Sequence, residues 1–211
     1  MKTLNLFTLY RRKSKVNKKP IYYTGKNENF LRFCLTFHEY IVCLSMRTLI
    51  MEKVENIAKY ILFLDTNRDI FVNNLVNLNG RNSYEGNIRL NKYLHIMQMV
   101  YFAINDQKLF PEDMYAFDNG VVVDYVMSNY RYLSSNRDNY SFSDNQIKAF
   151  VEKISNILKY APLDELINIS HQDEEWKKKH NHFNKSDQLI DIVSQKDNYK
   201  KMCSDFIELL D

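Results

Sequence analysis

Glycine, proline and cysteine are scarce in this chain, with four, three and three among 211 residues. Four glycines leave no glycine-rich phosphate cradle and no dinucleotide fingerprint. Few breakers of either kind favour helices over a turn-rich β fold. The cysteines, Cys34, Cys43 and Cys203, have neither paired nor zinc-type spacing. So odd and sparse a set suits a reducing, cytoplasmic setting and argues against a thiolate metal site. GxSxG and HExxH are absent, so no nucleophile or zinc helix announces an enzyme, and no pattern announces a cofactor. Long uncharged runs are missing too. The most apolar stretch, NFLRFCLTFHEYIVCLSMRTLIM, is broken by Arg32, His38, Glu39 and Arg47, whereas a membrane span needs about 20 nearly charge-free residues.

What is present is 45% hydrophobic content, enough for one globular domain, with an uneven charge. The first fifty residues hold ten Lys and Arg against two acids, and the remainder holds 19 against 24. A total of +3 is therefore +8 followed by −5. From Met51 onward Val54, Ile57, Ala58, Ile61 and Leu62 fall on one helical stripe. Residues 1–50 thus read as a basic N-terminal extension, with Met51 the expected start of the working protein. The competing reading is an arm that touches nucleic acid or an acidic membrane surface. The acidic core is itself a poor match for nucleic acid.

The core reads as a mainly α, single compact helical domain over 51–185, with an amphipathic helix over 186–211 packed on it. The Asn-rich stretch 65–87 reads as loop, with one short element near Phe71–Leu78. A helix is expected over 88–105, with Leu90, Tyr93, Leu94, Met97, Val100, Tyr101 and Ile104 on one face. VVVDYV, after Asn119 and Gly120, fits a short β element near 117–126 by its β-branched run and a helix start by its spacing. Ser143 with Gln146 writes a capping box for a helix burying Ile147, Phe150, Val151, Ile154 and Leu158. Pro162 opens a short helix through Leu166 and Ile167. The tail spaces Tyr199, Met202, Cys203, Phe206, Ile207 and Leu210 as one more stripe.

LINISHQDEEWKKKH, residues 166–180, holds the single tryptophan, two of the five histidines, and acids followed by lysines. Ser170 reads as a hydroxyl N-cap with Asp173 at the capping-box position, and the charge blocks complement the helix dipole. On that helix His171 and Glu175 would share a face, with His180 more than two turns away, a poor arrangement for a metal site. His95, inside an apolar helix, reads as a satisfied packing residue. Trp176 reads as filling the core or anchoring a partner.

Two blocks resemble the Panacea domain, the family of SocA-like antitoxins and GepA-type phage-associated proteins. In LNKYLHIMQMVYFAINDQKLFPEDMYAFDNGVV, Leu90, Lys92 and Leu94 match the family's Leu-x-Lys-Leu-Leu-Tyr helix, and Leu109 and Phe110 its Leu-Phe pair. Ala116 and Phe117 stand for its Ala-Trp, and Gly120, Val121 and Val122 for its Gly-Pro-Val. Ile169, Ser170, His171 and Trp176 resemble its Leu-Thr-His…Trp close. His95, Phe117 and Val121 depart from the pattern and mark a divergent member. The resemblance implies a non-catalytic, cytoplasmic, helical protein that acts by binding another protein. It implies an antitoxin of a type II toxin–antitoxin system, neutralising its cognate toxin and serving as a proteolytic adaptor. The alternative is a phage or mobile-element inhibitor of a host defence nuclease, similar in mode to an anti-CRISPR protein. The residues around Gly120–Val122 and His171–Trp176 are expected in the shared core or a docking groove, with the core favoured.

Overall fold

The computed structural model describes residues 51–207 apart from Asn79. The basic extension over 1–50 and Leu210 of the tail stripe lie outside the described residues. The described chain is a compact, mainly α domain, as its scarcity of glycine and proline predicts. It runs α1 (Val54–Leu64), β1 (Leu75–Leu78), β2 (Arg81–Tyr84), α2 (Glu85–Asn105), β3 (Met114–Phe117) and β4 (Gly120–Val123). There follow α3 (Asp124–Ser135), α4 (Asn145–Leu158), α5 (Leu163–Ser170), α6 (Glu174–Lys179), two 3-10 turns and α7 (Lys196–Ile207). β1 pairs antiparallel with β2, and β3 with β4, as two separate hairpins.

α2 is the axis of the fold. Leu90 through Val100 are buried without a break, because α7, α5, β4, α3, α4 and α1 all pack against it. A helix expected to bury one face is therefore enclosed on all of them, while Ile104, placed on that face by spacing, stays 45% exposed. α1 lies across α3 and α4, with Val54, Ile57, Ala58 and Ile61 buried as the stripe predicts. α4 buries Ile147, Val151, Ile154 and Leu158, and Phe150 packs at its margin. α7 closes the core through Tyr199, Cys203 and Phe206. Among the described residues no helix is long and apolar enough to cross a membrane.

Several local expectations are corrected. The Asn-rich stretch read as loop carries the β1–β2 hairpin. α2 begins at Glu85, one turn before residue 88. The β element near 117–126 and the helical spacing beside it are both present in succession, β4 ending at Val123 and α3 starting at Asp124. Ser143 does not cap α4. Asp144 does, accepting from the Gln146 N–H at 2.7 Å, while the Ser143 hydroxyl donates to Glu52.

Candidate functional site

Enclosure of α2 forces a question on its polar residues. Asn91, His95 and Gln98 recur at helical spacing, Lys92 sits beside them, and all four are at most 2% exposed. A buried polar group costs about 1–3 kcal/mol unless it is hydrogen-bonded, so each needs a partner. Gln98 finds the loop before β3, accepting from the Leu109 and Phe110 N–H groups and donating to the Phe110 carbonyl. The other three turn to β4 and to the segment after α5.

Strand β4 has one edge on β3, and its other edge is closed by side chains. Val121 N–H donates to Ser170 Oγ at 2.8 Å, and Lys92 Nζ donates to the Val121 carbonyl at 2.8 Å. Val123 N–H donates to Asn91 Oδ1 at 2.8 Å. These three side chains do what a neighbouring strand would do. The outer edge of β3 is closed too, by Ile190 N–H donating to the Met114 carbonyl. Gly120 is required here. Its φ is +94°, and a Cβ would stand 2.5 Å from Ser170 Oγ and 2.7 Å from Lys92 Nζ.

Behind this edge lies a buried relay. Ser170 Oγ is 3.2 Å from His95 Nδ1, and His95 Nε2 is 3.0 Å from Asp173 Oδ2. The Tyr199 hydroxyl donates to the same Asp173 oxygen at 2.8 Å, while Asp173 Oδ1 accepts the Glu175 and Trp176 N–H groups. Asp173 therefore caps α6, not Ser170, which is the last residue of α5 and is spent on β4 and His95. Burial pushes His95 down from its ordinary value and outweighs the pull of Asp173. Burial acts to raise the Asp173 carboxyl, but the bonds from His95, Tyr199 and the Trp176 N–H hold it below the usual range. The pair is thus a neutral imidazole donating from Nε2 to a carboxylate, with Nδ1 accepting from the serine. Ser170, His95 and Asp173 have the connectivity of a catalytic triad, yet all three are 0% exposed. No substrate atom reaches the serine in this arrangement.

Trp176 closes the seam on the outside. Its indole N–H donates to the Phe117 carbonyl at 2.7 Å. His171 stacks on one face at 3.9 Å and His180 on the other at 4.2 Å. His171 is the C-cap of α5 and so does not share a helix face with Glu175, and His180 is beside Trp176, not remote. Burial, then the nearby Lys92 and His180, push His171 down to about 4. It stacks as a neutral ring.

Of the residues singled out by sequence, Lys92, Gly120 and Ser170 meet directly, and His171 and Trp176 lie against the same seam. Leu90, Leu94 and Phe110 are fully buried and pack in the core, and Val122 is buried on β4. Sequence reasoning missed Asn91, Gln98 and Tyr199 as network members, and left His95 without its partner Asp173. The polar stripe 91, 95, 98, running into the otherwise apolar stretch 93–104, was the available signal. Among the described residues no three His, Cys, Asp or Glu side chains gather as a metal site.

Two clefts adjoin the seam and share Arg81, Phe117 and Asp118 in their walls. The inner one, about 110 Å³, reaches Lys92 and Asn91. The outer one, about 460 Å³, runs past His180, His182 and Phe183. No family model, curated protein or solved structure matches the chain.

Proposed function

We propose that this chain is a divergent Panacea-type antitoxin. It acts in the cytoplasm, needs no cofactor, and neutralises a toxin by direct protein binding, with delivery of that toxin to a protease as a further use of the same contact. One observation carries the reading. The two blocks of the resemblance lie far apart in sequence, yet Lys92 of the first donates to the carbonyl of Val121 and Ser170 of the second accepts from the N–H of that same residue. Residues that define the resemblance thus have a common physical task. The closed Ser170–His95–Asp173 relay supports a non-catalytic role, since its groups already satisfy each other away from solvent.

A second reading, an inhibitor of a host defence nuclease, is supported by the −5 charge of residues 51–211, which suits occupation of a basic nucleic-acid channel. The test is affinity capture of the C-terminally tagged protein from its native host, with mass spectrometry of what is retained. A small toxin encoded next to this gene is expected. A nuclease effector in its place contradicts the antitoxin reading and supports the second one.

A further inference from the structure

Lys92 is the least comfortable charge among the described residues. It is 1% exposed, donates to a single acceptor, the Val121 carbonyl, and has no carboxylate within ion-pair distance among those residues. An ammonium carries three donor hydrogens, so two remain unspent. A buried charge is ordinarily paired or neutralised. Burial accordingly pushes its amine down to about 7.

The surroundings say what is missing. Lys92 forms part of the wall of the inner cleft, whose volume of about 110 Å³ is that of a few waters, at about 30 Å³ each, and holds a carboxylate with its methylene. The side chains around it include Asn87, Asn91 and Asn119. Arg81 stands at the shared wall, 73% exposed, with Asp118 at 3.6 Å. The outer cleft continues from there past His180 and His182 to Phe183, whose ring is wholly exposed. Two permanent or latent cations, Lys92 and Arg81, face one acid, Asp118, along this path. The local sign is the reverse of the −5 that residues 51–211 carry together.

We propose that the two clefts form one groove for an extended acidic segment of the protein partner. One Asp or Glu carboxylate of that segment sits beside Lys92, and an apolar side chain covers Phe183. This rests on the protein-binding reading above and names the chemistry of the contact. The carboxylate supplies the acceptor that the buried amine lacks, and the groove gives an entry that the closed relay does not have. The excess of positive charge along the lining also steers such a segment inward.

The test uses the full chain with Arg11, Arg12, Lys13, Lys15, Lys18 and Lys19 all changed to Ala, which removes the basic cluster of the extension and leaves residues 1–50 near +2, and fluorescein-labelled tetraglutamate and tetraglutamine peptides at low salt. Anisotropy is expected to give at least tenfold tighter binding of tetraglutamate. Arg81→Glu, at an exposed position with no part in the core, is expected to weaken it at least tenfold, and Lys92→Met likewise. Asp118→Asn is expected to strengthen it. Equal affinity for the two peptides, or binding unchanged in Arg81→Glu, overturns the proposal. The captured partner separates this from the broader reading. If Arg81→Glu retains the partner as well as the wild type does, the groove assignment falls and protein binding stands. If the wild type retains no protein, the broader reading falls, and the peptides decide the groove alone.

Discussion

Hairpins β1–β2 and β3–β4 are built from the same parts. Each has four-residue strands, a two-residue connection and a glycine at positive φ, Gly80 at +78° and Gly120 at +94°. Around β3–β4, Asn91, Lys92, Ser170 and Ile190 occupy the outward N–H and carbonyl groups of Val121, Val123 and Met114. By the same alternation of antiparallel pairing, the outward groups of β1–β2 include those of Leu75, Asn77 and Asn82. No side chain among the described residues caps their backbone groups. Leu75 is 64% exposed, and a Cβ on Gly80 would meet nothing within 4 Å. The β3–β4 hairpin lies in the core with its outer edges finished by Asn91 and Lys92 of the central helix together with Ser170 and Ile190.

Removing Asp173 should break the contrast most severely. Asp173→Ala strands His95, the Tyr199 hydroxyl and two α6 N–H groups, and is expected to cost about 3–5 kcal/mol, read as a lower urea midpoint or as failure to fold. Asp173→Asn, which keeps the cap, should cost less. The glycines give the next largest difference. Gly120→Ala combines unfavourable φ with collision on Ser170 and Lys92, for about 3 kcal/mol, whereas Gly80→Ala has the φ cost alone, about 1 kcal/mol. Equal losses at the two positions would erase the distinction between the hairpins.

The pH dependence is smaller and has a defined sign. His95 and His171 are held below their ordinary value in the folded state. The unfolded chain therefore takes up protons first as pH falls below about 6.5, and stability drops with it. Lys92, pushed down to about 7 from 10.5, makes stability rise from pH 7 toward 10, because the unfolded lysine still holds its proton there. Urea unfolding at pH 5, 7 and 9 should give increasing midpoints. His171→Phe should soften the acid loss, and Lys92→Met should flatten the rise above pH 7.

α1 and α4 were legible because each buries one clean stripe against a neighbour, which is what hydrophobic spacing reports. α2 was legible as a helix but not as the axis. Spacing cannot say that a second face is covered, so Asn91 and Gln98 passed as ordinary polar positions. Asn79-Gly80 is a strong hairpin turn signal, but LVNL and RNSY lack the alternation that would have made it read as one. At the α5–α6 junction two good caps lie three residues apart, Ser170 and Asp173. Which one caps was decided by β4, which takes the serine. Tyr199 looked like one more apolar residue of the tail stripe, and its bond to Asp173 depends on a contact 26 residues away.

The most direct test is native-state hydrogen exchange resolved at single amides, with Ser170→Ala alongside the wild type. A closed seam around β4 predicts that the Val121 and Val123 amides exchange only with global unfolding, while those of Leu75, Asn77 and Asn82 exchange by local opening. In Ser170→Ala the Val121 amide should lose protection more than that of Val123. Val121 and Val123 amides that exchange as fast as those of β1–β2, or a Val121 amide indifferent to Ser170→Ala, would contradict it.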